Sequence, residues 1–283
     1  MELIGHPALA ALHRPHHDHV ELPERLAVLH ERFPGLAEGR AATREQLERV
    51  HSEDYVSAME TCDVDVMLDP DTYAGPTTWE AATLAAGCAI EAAERGGFAL
   101  VRPPGHHALR QRGMGFCIFN NVAIAARHAQ AELGVGRVAI VDIDVHHGNG
   151  TEATFRDDAS VLFVSLHQWP FYPGTGGPGT SDEHTLNVPL PAWSGDAEYE
   201  RAFAELVEPA VLAFAPELVL VSAGFDAHEE DPMGQMRVTA DGFRELARRC
   251  AALAPRTAAV LEGGYNLATL PELIEAALEG FES

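Results

Sequence analysis

Seven side chains in this sequence are of types that do chemistry together: His106 and His107, Asp142, Asp144 and His146, Asp226, and Tyr265. The stretch from Val138 to Gly150 is the centre of the set. Its first half is a β-branched apolar run, the composition of a strand buried on both faces of a parallel sheet. Its second half places Asp142, Asp144 and His146 at successive i, i+2 positions, which project to one side of an extended backbone. Two acids and a histidine at the end of a buried strand are costly unless something positive sits there. Asp144 and His146 are therefore expected to hold one cation, with Asp226 as a third ligand. Three ligands of mixed oxygen and nitrogen character leave positions open for water and substrate, as catalytic zinc sites do. Carboxylates also suit iron(II) or manganese, so ligand type alone leaves the metal open. A water activated at such a cation needs a proton acceptor, and a leaving amine needs a donor; paired histidines serve both ends. His106 and His107 would point apart on an extended backbone, so their loop must bend to aim both inward. Asp142 can accept a proton from one imidazole and raise its basicity. Tyr265, following two glycines, can donate to an oxyanion across the metal. Taken singly each feature has a plainer reading: a surface His pair, a Gly-Gly-Tyr turn, an aspartate capping a helix. Five strand ends carrying acids, imidazoles and a phenol are hard to explain that way together.

The elements that must position these groups are legible from pattern. A helix is expected from Glu24 to Phe33, where Pro34-Gly35 stops it, with short helices at 44–50 and 53–61. Residues 69–76 read as a loop. A long Ala-rich helix from Thr77 to Glu94 ends at Gly96-Gly97. Strands are expected at 98–101, 138–142, 161–166, 218–222 and 258–262. Helices are expected at 119–132, 150–156, 196–213, 239–253 and 271–281. Strands alternating with helices imply a mostly parallel three-layer α/β sheet, and such sheets bind ligands beyond the carboxyl ends of their strands. The His-rich loop holding His13, His16, His17 and His19 lacks an acid or Cys that completes a ligand set, and is read as an ordered loop at the site mouth rather than a second metal site. With no linker or internal repeat, residues 1–283 read as one catalytic domain.

Composition bounds the function. With 46% hydrophobic residues this is a globular chain with a sizeable core. Its 43 acids against 19 arginines and no lysine give a formal charge of −24, which argues against nucleic acid and favours cationic ligands. Adaptation to high salt gives the same balance. The four cysteines, Cys62, Cys88, Cys117 and Cys250, form no C-x-x-C pair and fit a reducing compartment. The N-terminus lacks the pattern of a signal peptide, and no apolar run is long enough for a membrane span. A cytoplasmic protein is expected.

In chain order, Arg102-Pro-Pro-Gly-His-His-Ala108, Gly115-Phe-Cys117, Asp142-Ile-Asp-Val-His-His-Gly-Asn-Gly150, Ser222-Ala-Gly-Phe-Asp226 and Glu262-Gly-Gly-Tyr265 resemble the signature series of zinc-dependent histone deacetylases. Their bacterial relatives, the acetylpolyamine amidohydrolases and acetoin-utilisation proteins, share it. The resemblance spans nearly the whole chain. It implies an arginase-like three-layer αβα fold and hydrolysis of an N-acyl amide to acetate and a free amine. It implies zinc on Asp144, His146 and Asp226, a proton shuttle at His106 and His107, and carbonyl polarisation by Tyr265. Asp142 matches the carboxylate behind the first histidine, and Asn149 stands behind the second. Phe116 and Tyr172 match the aromatic walls of an acyl-lysine tunnel, with Gly115 and Gly264 among the substrate-binding positions. Asp142, Asp144, His146, Ser165 and Leu166 match an inner structural potassium site. Phe155, Asp158 and Val161 match part of a second monovalent-cation site. Asp71 matches an acid that binds substrate backbone at the rim, and Arg25 an arginine near the acetate exit path.

Two departures bear on mechanism and substrate. Asn149 replaces the aspartate of some relatives and should leave its imidazole less basic. Met233 stands where polyamine-selective relatives can carry Glu, and a thioether there weakens a polyamine reading. The expected activity is therefore removal of acetyl or other acyl groups from lysine side chains of proteins or peptides, the alternative being deacetylation of acetylpolyamines or other small amines. A binding module without turnover would not need both histidines and Tyr265. A two-manganese ureohydrolase needs more bridging carboxylates than the sequence supplies.

Overall fold

The run Val138–Asp142 is a strand in which every residue is buried, and the same holds for Val161–Gln168 and Leu218–Ala223. Strands hidden on both faces need helices above and below them, and this sheet has both. The computed structural model describes residues 1–15 and 18–283; His16 and His17 lie outside the described residues.

In chain order the strands are β1 (Leu3–Gly5), β2 (Ala37–Glu38), β3 (Val66–Met67), β4 (Tyr73–Ala74), β5 (Phe98–Ala99), β6 (Val138–Asp142), β7 (Val161–Gln168), β8 (Thr185–Leu190), β9 (Leu218–Ala223) and β10 (Thr257–Leu261). The helices are α1 (Glu24–Arg32), α2 (Arg44–Glu48), α3 (Glu53–Glu60), α4 (Thr78–Arg95), α5 (Asn121–Glu132), α6 (Asn149–Phe155), α7 (Asp196–Ala202), α8 (Glu208–Phe214), α9 (Ala240–Ala251) and α10 (Leu270–Phe281). Eight strands form one sheet in the order β2-β1-β5-β10-β9-β6-β7-β8, and every pairing in it is parallel. Helix α4 lies over β1, β5 and β10 and packs against α5, which lies over β6 and β9, while α9 and α10 pack together with α1 alongside. This is the expected three-layer architecture.

Because all eight strands run the same way, their carboxyl ends lie along one edge. In the register Asp142 stands level with Ser165 of β7 and Ser222 of β9. The loops leaving β5, β6, β7, β9 and β10 carry the reactive side chains to that edge.

Four expectations change. Asp144 and His146 are not on the strand, which ends at Asp142; they sit on a bend just beyond it. The expected loop at 69–76 contains β4, which pairs antiparallel with β3 in a small hairpin. The helix expected at 196–213 is broken by a π-helical turn over Phe203–Val207. Pro209 explains the break: it offers no N–H to the carbonyl one turn back, and its ring would crowd it, so the preceding turn widens. Strands β1, β2 and β8 escaped the pattern because they are short or, in β8, carry Pro189 at the sheet edge.

Candidate active site

The cation ligands expected from sequence converge. His146 Nδ1 lies 3.0 Å from Asp144 Oδ1 and 3.2 Å from Asp226 Oδ2. The three side chains are buried, and their ligating atoms fall within 4.8 Å of one another. Backbone amides orient the carboxylates: Asp226 Oδ1 accepts from Val145 N at 2.9 Å, Asp144 Oδ1 from His146 N at 2.9 Å, and Asp144 Oδ2 from Gly263 N at 2.9 Å. Asp226 Oδ2, by contrast, is buried and, its close approach to His146 apart, has no hydrogen bond among the described residues. Gly224 and Gly263 are required here, since a Cβ on either would collide with these carboxylate oxygens. Burial raises the Asp226 carboxyl to about 7, with Asp144 adding to the effect. Burial opposes a charge on His146, yet its contacts with Asp144 and Asp226 raise it to about 10. Two clustered carboxylates that hold a proton on a neighbouring imidazole, one of them with an orphaned oxygen, form a donor set that fits a divalent cation.

The tandem histidines face the same place. The bend that turns both inward is held by the His106 carbonyl, which accepts from the amides of Gly150 at 3.0 Å and Thr151 at 3.2 Å. The two rings lie 4.0 Å apart, tilted by 42°. His106 Nδ1 is 2.9 Å from Asp142 Oδ2, and His107 Nδ1 is 2.8 Å from Asn149 Oδ1. The partners split the pair. Burial works against a charge on His106, but Asp144 and Asp142 outweigh it and hold the imidazole well above the usual value. Burial and the neighbouring His106 and His146 hold His107 well below it. The two rings are thus biased to opposite protonation states, His106 towards the imidazolium and His107 towards the neutral ring.

Tyr265 comes from the turn after β10. Its amide donates to Asp231 Oδ2 at 2.6 Å, its ring carries the Arg25 guanidinium 4.6 Å from the centroid, and Phe116 meets it edge-on at 5.7 Å. Burial pushes the phenol well above its ordinary range although Arg25 pulls the other way, so the hydroxyl stays a donor. His106, His107, His146 and Tyr265 line one cavity of about 180 Å³, walled by Phe116, Tyr172 and Met233 and reaching Gly115 and Asp71. Tyr172 approaches His107 edge-on at 5.2 Å. An imidazole pair, a phenol, a cation cluster and an aromatic-walled cavity suit hydrolysis of an acylated amine.

The histone deacetylase domain profile matches residues 14–281. The chain belongs to the histone deacetylase family. It is similar to histone deacetylase 14, chloroplastic, of Arabidopsis thaliana, 42% identical over 266 residues that cover 83% of this chain and 63% of that protein. It is 41% identical to a probable deacetylase of Archaeoglobus fulgidus, covering 87% of this chain and 75% of that one. It is also 41% identical to polyamine deacetylase HDAC10 of Homo sapiens, covering 90% of this chain and 43% of that one. The chain thus spans less than two thirds of the length of the plant and human proteins. The crystal structure of the HDA15 HD domain superposes with a TM-score of 0.92 at 36% identity, over all of this chain and 91% of that one. The arginase/deacetylase-like fold is therefore that of the family.

Ser165 and Leu166 lie on β7 beside Asp142, where Ser165 Oγ is 2.9 Å from His167 Nδ1. Around Phe155, Asp158 and Val161 a positive charge is already built in: Arg127 bonds Asp158 and lies 4.6 Å over the Phe155 ring. Asp71 Oδ1 has no hydrogen bond among the described residues, and burial with the nearby Asp69 raises this carboxyl to about 6. Gly264 does not line the cavity; its carbonyl accepts from Arg25 Nε at 2.7 Å, and its φ of 115° needs a glycine. Of the His-rich loop, His13 Nδ1 lies 2.9 Å from Thr78 Oγ1, and His19 meets the Phe116 ring edge-on at 4.6 Å.

Sequence reasoning missed Phe171, which stacks on His146 at 5.4 Å and lines the cavity. Glu262, within the Glu262-Gly-Gly-Tyr265 series, shows no role from sequence. Glu262 forms a second buried cluster with His106 and Cys117, but amide donors already occupy its carboxylate. Among the described residues no helix is long and apolar enough to cross a membrane.

Proposed function

We infer that this chain is a zinc-dependent amidohydrolase that removes acetyl groups from lysine side chains of proteins or peptides and releases acetate. One observation carries the reading: the neutral His107, the charged His106, Tyr265 and the His146 cluster open on a single aromatic-walled cavity. Asp144, His146 and Asp226 would hold the zinc, which when bound polarises the amide carbonyl and makes a neighbouring water acidic. Potassium would sit at Asp142, Ser165 and Leu166 in a structural role.

The chain's own groups do the rest. The substrate stem lies between Phe116 and Tyr172, and the unpartnered Asp71 oxygen takes a donor from the substrate at the mouth. Tyr265 donates its hydroxyl hydrogen to the carbonyl oxygen as negative charge grows there. His107 takes a proton from the attacking water as the C–O bond forms. The imidazole pair then delivers a proton to the amine nitrogen as the C–N bond breaks, leaving acetate and a free amine. Asp142 keeps the His106 ring charged and fixed. We place this activity in a single catalytic unit over 1–283 and in the cytoplasm, where the four free cysteines would stay reduced.

A second reading, deacetylation of acetylpolyamines, is favoured by the kinship to a protein named polyamine deacetylase and disfavoured by the neutral Met233 on the cavity wall. The test is kcat/KM of the zinc-loaded protein on an acetyl-lysine peptide and on an acetylated polyamine. Preference for the peptide is expected, with His107→Ala and Tyr265→Phe each losing at least about 100-fold. Preference for the polyamine would replace the substrate while keeping the chemistry, and full activity in both variants would overturn the mechanism.

A further inference from the structure

We propose that Glu262 is a positioning residue for this reaction: its buried carboxylate fixes the backbone of the His106–His107 pair, while its own main chain carries Tyr265. The proposal rests on the deacetylase reading for its kinetic consequence, though not for its structural one.

The need for such a residue follows from the sequence of the histidine loop. In Arg102-Pro-Pro-Gly-His-His-Ala108 the two prolines have no N–H, and Gly105, His106 and His107 donate to no backbone carbonyl among the described residues. Regular backbone pairing resumes only at Ala108, whose amide donates to the Gly105 carbonyl at 2.9 Å. Buried amides must find acceptors. Those of Gly105 and His106 both find Glu262 Oε2, at 2.6 and 3.1 Å, while His107 N reaches only Cys117 Sγ at 3.4 Å. Glu262 is fully buried, and its other oxygen lies 3.4 Å from Ser222 Oγ on β9. One side chain, 156 residues from His106, thus stands in for the missing ladder of this loop.

Its main chain is tied just as fully on the other side. The Glu262 amide donates to the Ala223 carbonyl at 3.0 Å, and its carbonyl accepts from Arg25 Nη2 at 2.5 Å. Gly263 N donates to Asp144, Gly264 O accepts from Arg25, and Tyr265 N donates to Asp231. The spacing between the proton-handling imidazoles and the phenol is therefore set through residue 262. A metal role at Glu262, Cys117 and His106 is disfavoured because Oε2 already accepts two amides and His106 Nδ1 is engaged by Asp142.

The test compares Glu262→Gln, Glu262→Asp and Glu262→Met in the zinc-loaded full chain. Two readouts are taken: steady-state kinetics on acetyl-lysine peptide, and amide hydrogen exchange of the segment containing Gly105 and His106. Glutamine keeps an acceptor for both amides and is expected to hold kcat within about fivefold, with exchange unchanged. Methionine fills the space without accepting, so kcat should fall about 100-fold with KM nearly unchanged, and the two amides should exchange faster. On a His106→Ala/His107→Ala background the methionine change should add little, because the groups it positions are gone. If the methionine variant does not fold, the shortened aspartate carries the test, with an intermediate loss of kcat and faster exchange. Unchanged kcat and exchange in the methionine or aspartate variant would overturn the proposal, as would a glutamine variant as impaired as methionine. Should the wild type turn over no acetylated substrate at all, the deacetylase reading falls, while exchange at Gly105 and His106 still decides whether Glu262 holds the loop.

Discussion

Burial and the neighbouring His106 and His146 lower the second histidine, and the contact with Asn149 works the other way. Its amide oxygen faces His107 Nδ1 at 2.8 Å, a neutral partner where a carboxylate would favour the imidazolium. Asn149→Asp puts a negative charge at that distance and raises the His107 pKa. A base works only when unprotonated, so the acid limb of kcat/KM against pH should move to higher pH, by about one unit or more. A pH profile of the variant beside the wild type checks this, and a limb that moves to lower pH would show that His107 is not the base. The chemistry of these residues was legible because their types are costly to place together without a purpose. Asp144, His146, Asp226, both histidines and Tyr265 meet as expected. What the sequence hid was partnership at long range. Glu262 read as part of a turn motif, since nothing local shows that its carboxylate ends up beneath residues 105 and 106.

Among the elements, the N-terminal arm that leads into α1 is held in place by buried charge as well as by apolar residues such as Leu9. Glu21 is buried against Arg102, bonded at 2.8 Å through Nε and 2.7 Å through Nη2, with Arg25 at 3.4 Å. Arg102 also donates to the carbonyls of Leu12 and His13, both at 2.6 Å. Burial alone would raise the Glu21 carboxyl, yet Arg102 brings it down to about 2. A depressed carboxyl gives stability that is complete above its unfolded value near 4.5 and is lost as pH falls towards about 2. Glu21→Leu strands two buried guanidinium groups and should cost roughly 3 kcal/mol or more in urea unfolding. The acid-side loss of stability between pH 4.5 and 2 should also be shallower in that variant. A variant as stable as the wild type would mean the arm is held by other contacts. Long buried strands such as β6, β7 and β9 and the Ala-rich α4 were readable because each repeats one pattern over several residues. Strands of two or three residues such as β1 and β2 carry too few positions for a period to appear. They exist only because neighbouring strands supply the pairing.

For the molecule as a whole, a cation at His146 should act as a stabilising ligand. Without one, burial, with Asp144 close by, lifts Asp226 to about 7. A cation that binds the native state alone adds about 4 kcal/mol at a thousandfold excess over its Kd. Zinc should therefore raise the unfolding midpoint of chelator-treated protein, and Asp226→Asn should abolish most of that rise. A midpoint indifferent to zinc would count against Asp144, His146 and Asp226 as its ligands. The strand order carries one more consequence, for how the chain is made. β10 is the last strand in sequence, yet it lies between β5 and β9 in the middle of the sheet. Until it leaves the ribosome, the strands already synthesised form two separate pieces, β2-β1-β5 and β9-β6-β7-β8, with a gap where the final strand belongs. A chain stopped short of Thr257 would lack the seam itself, not merely a tail. Such a fragment would expose two open strand edges to whatever chaperone or neighbouring chain reaches them first.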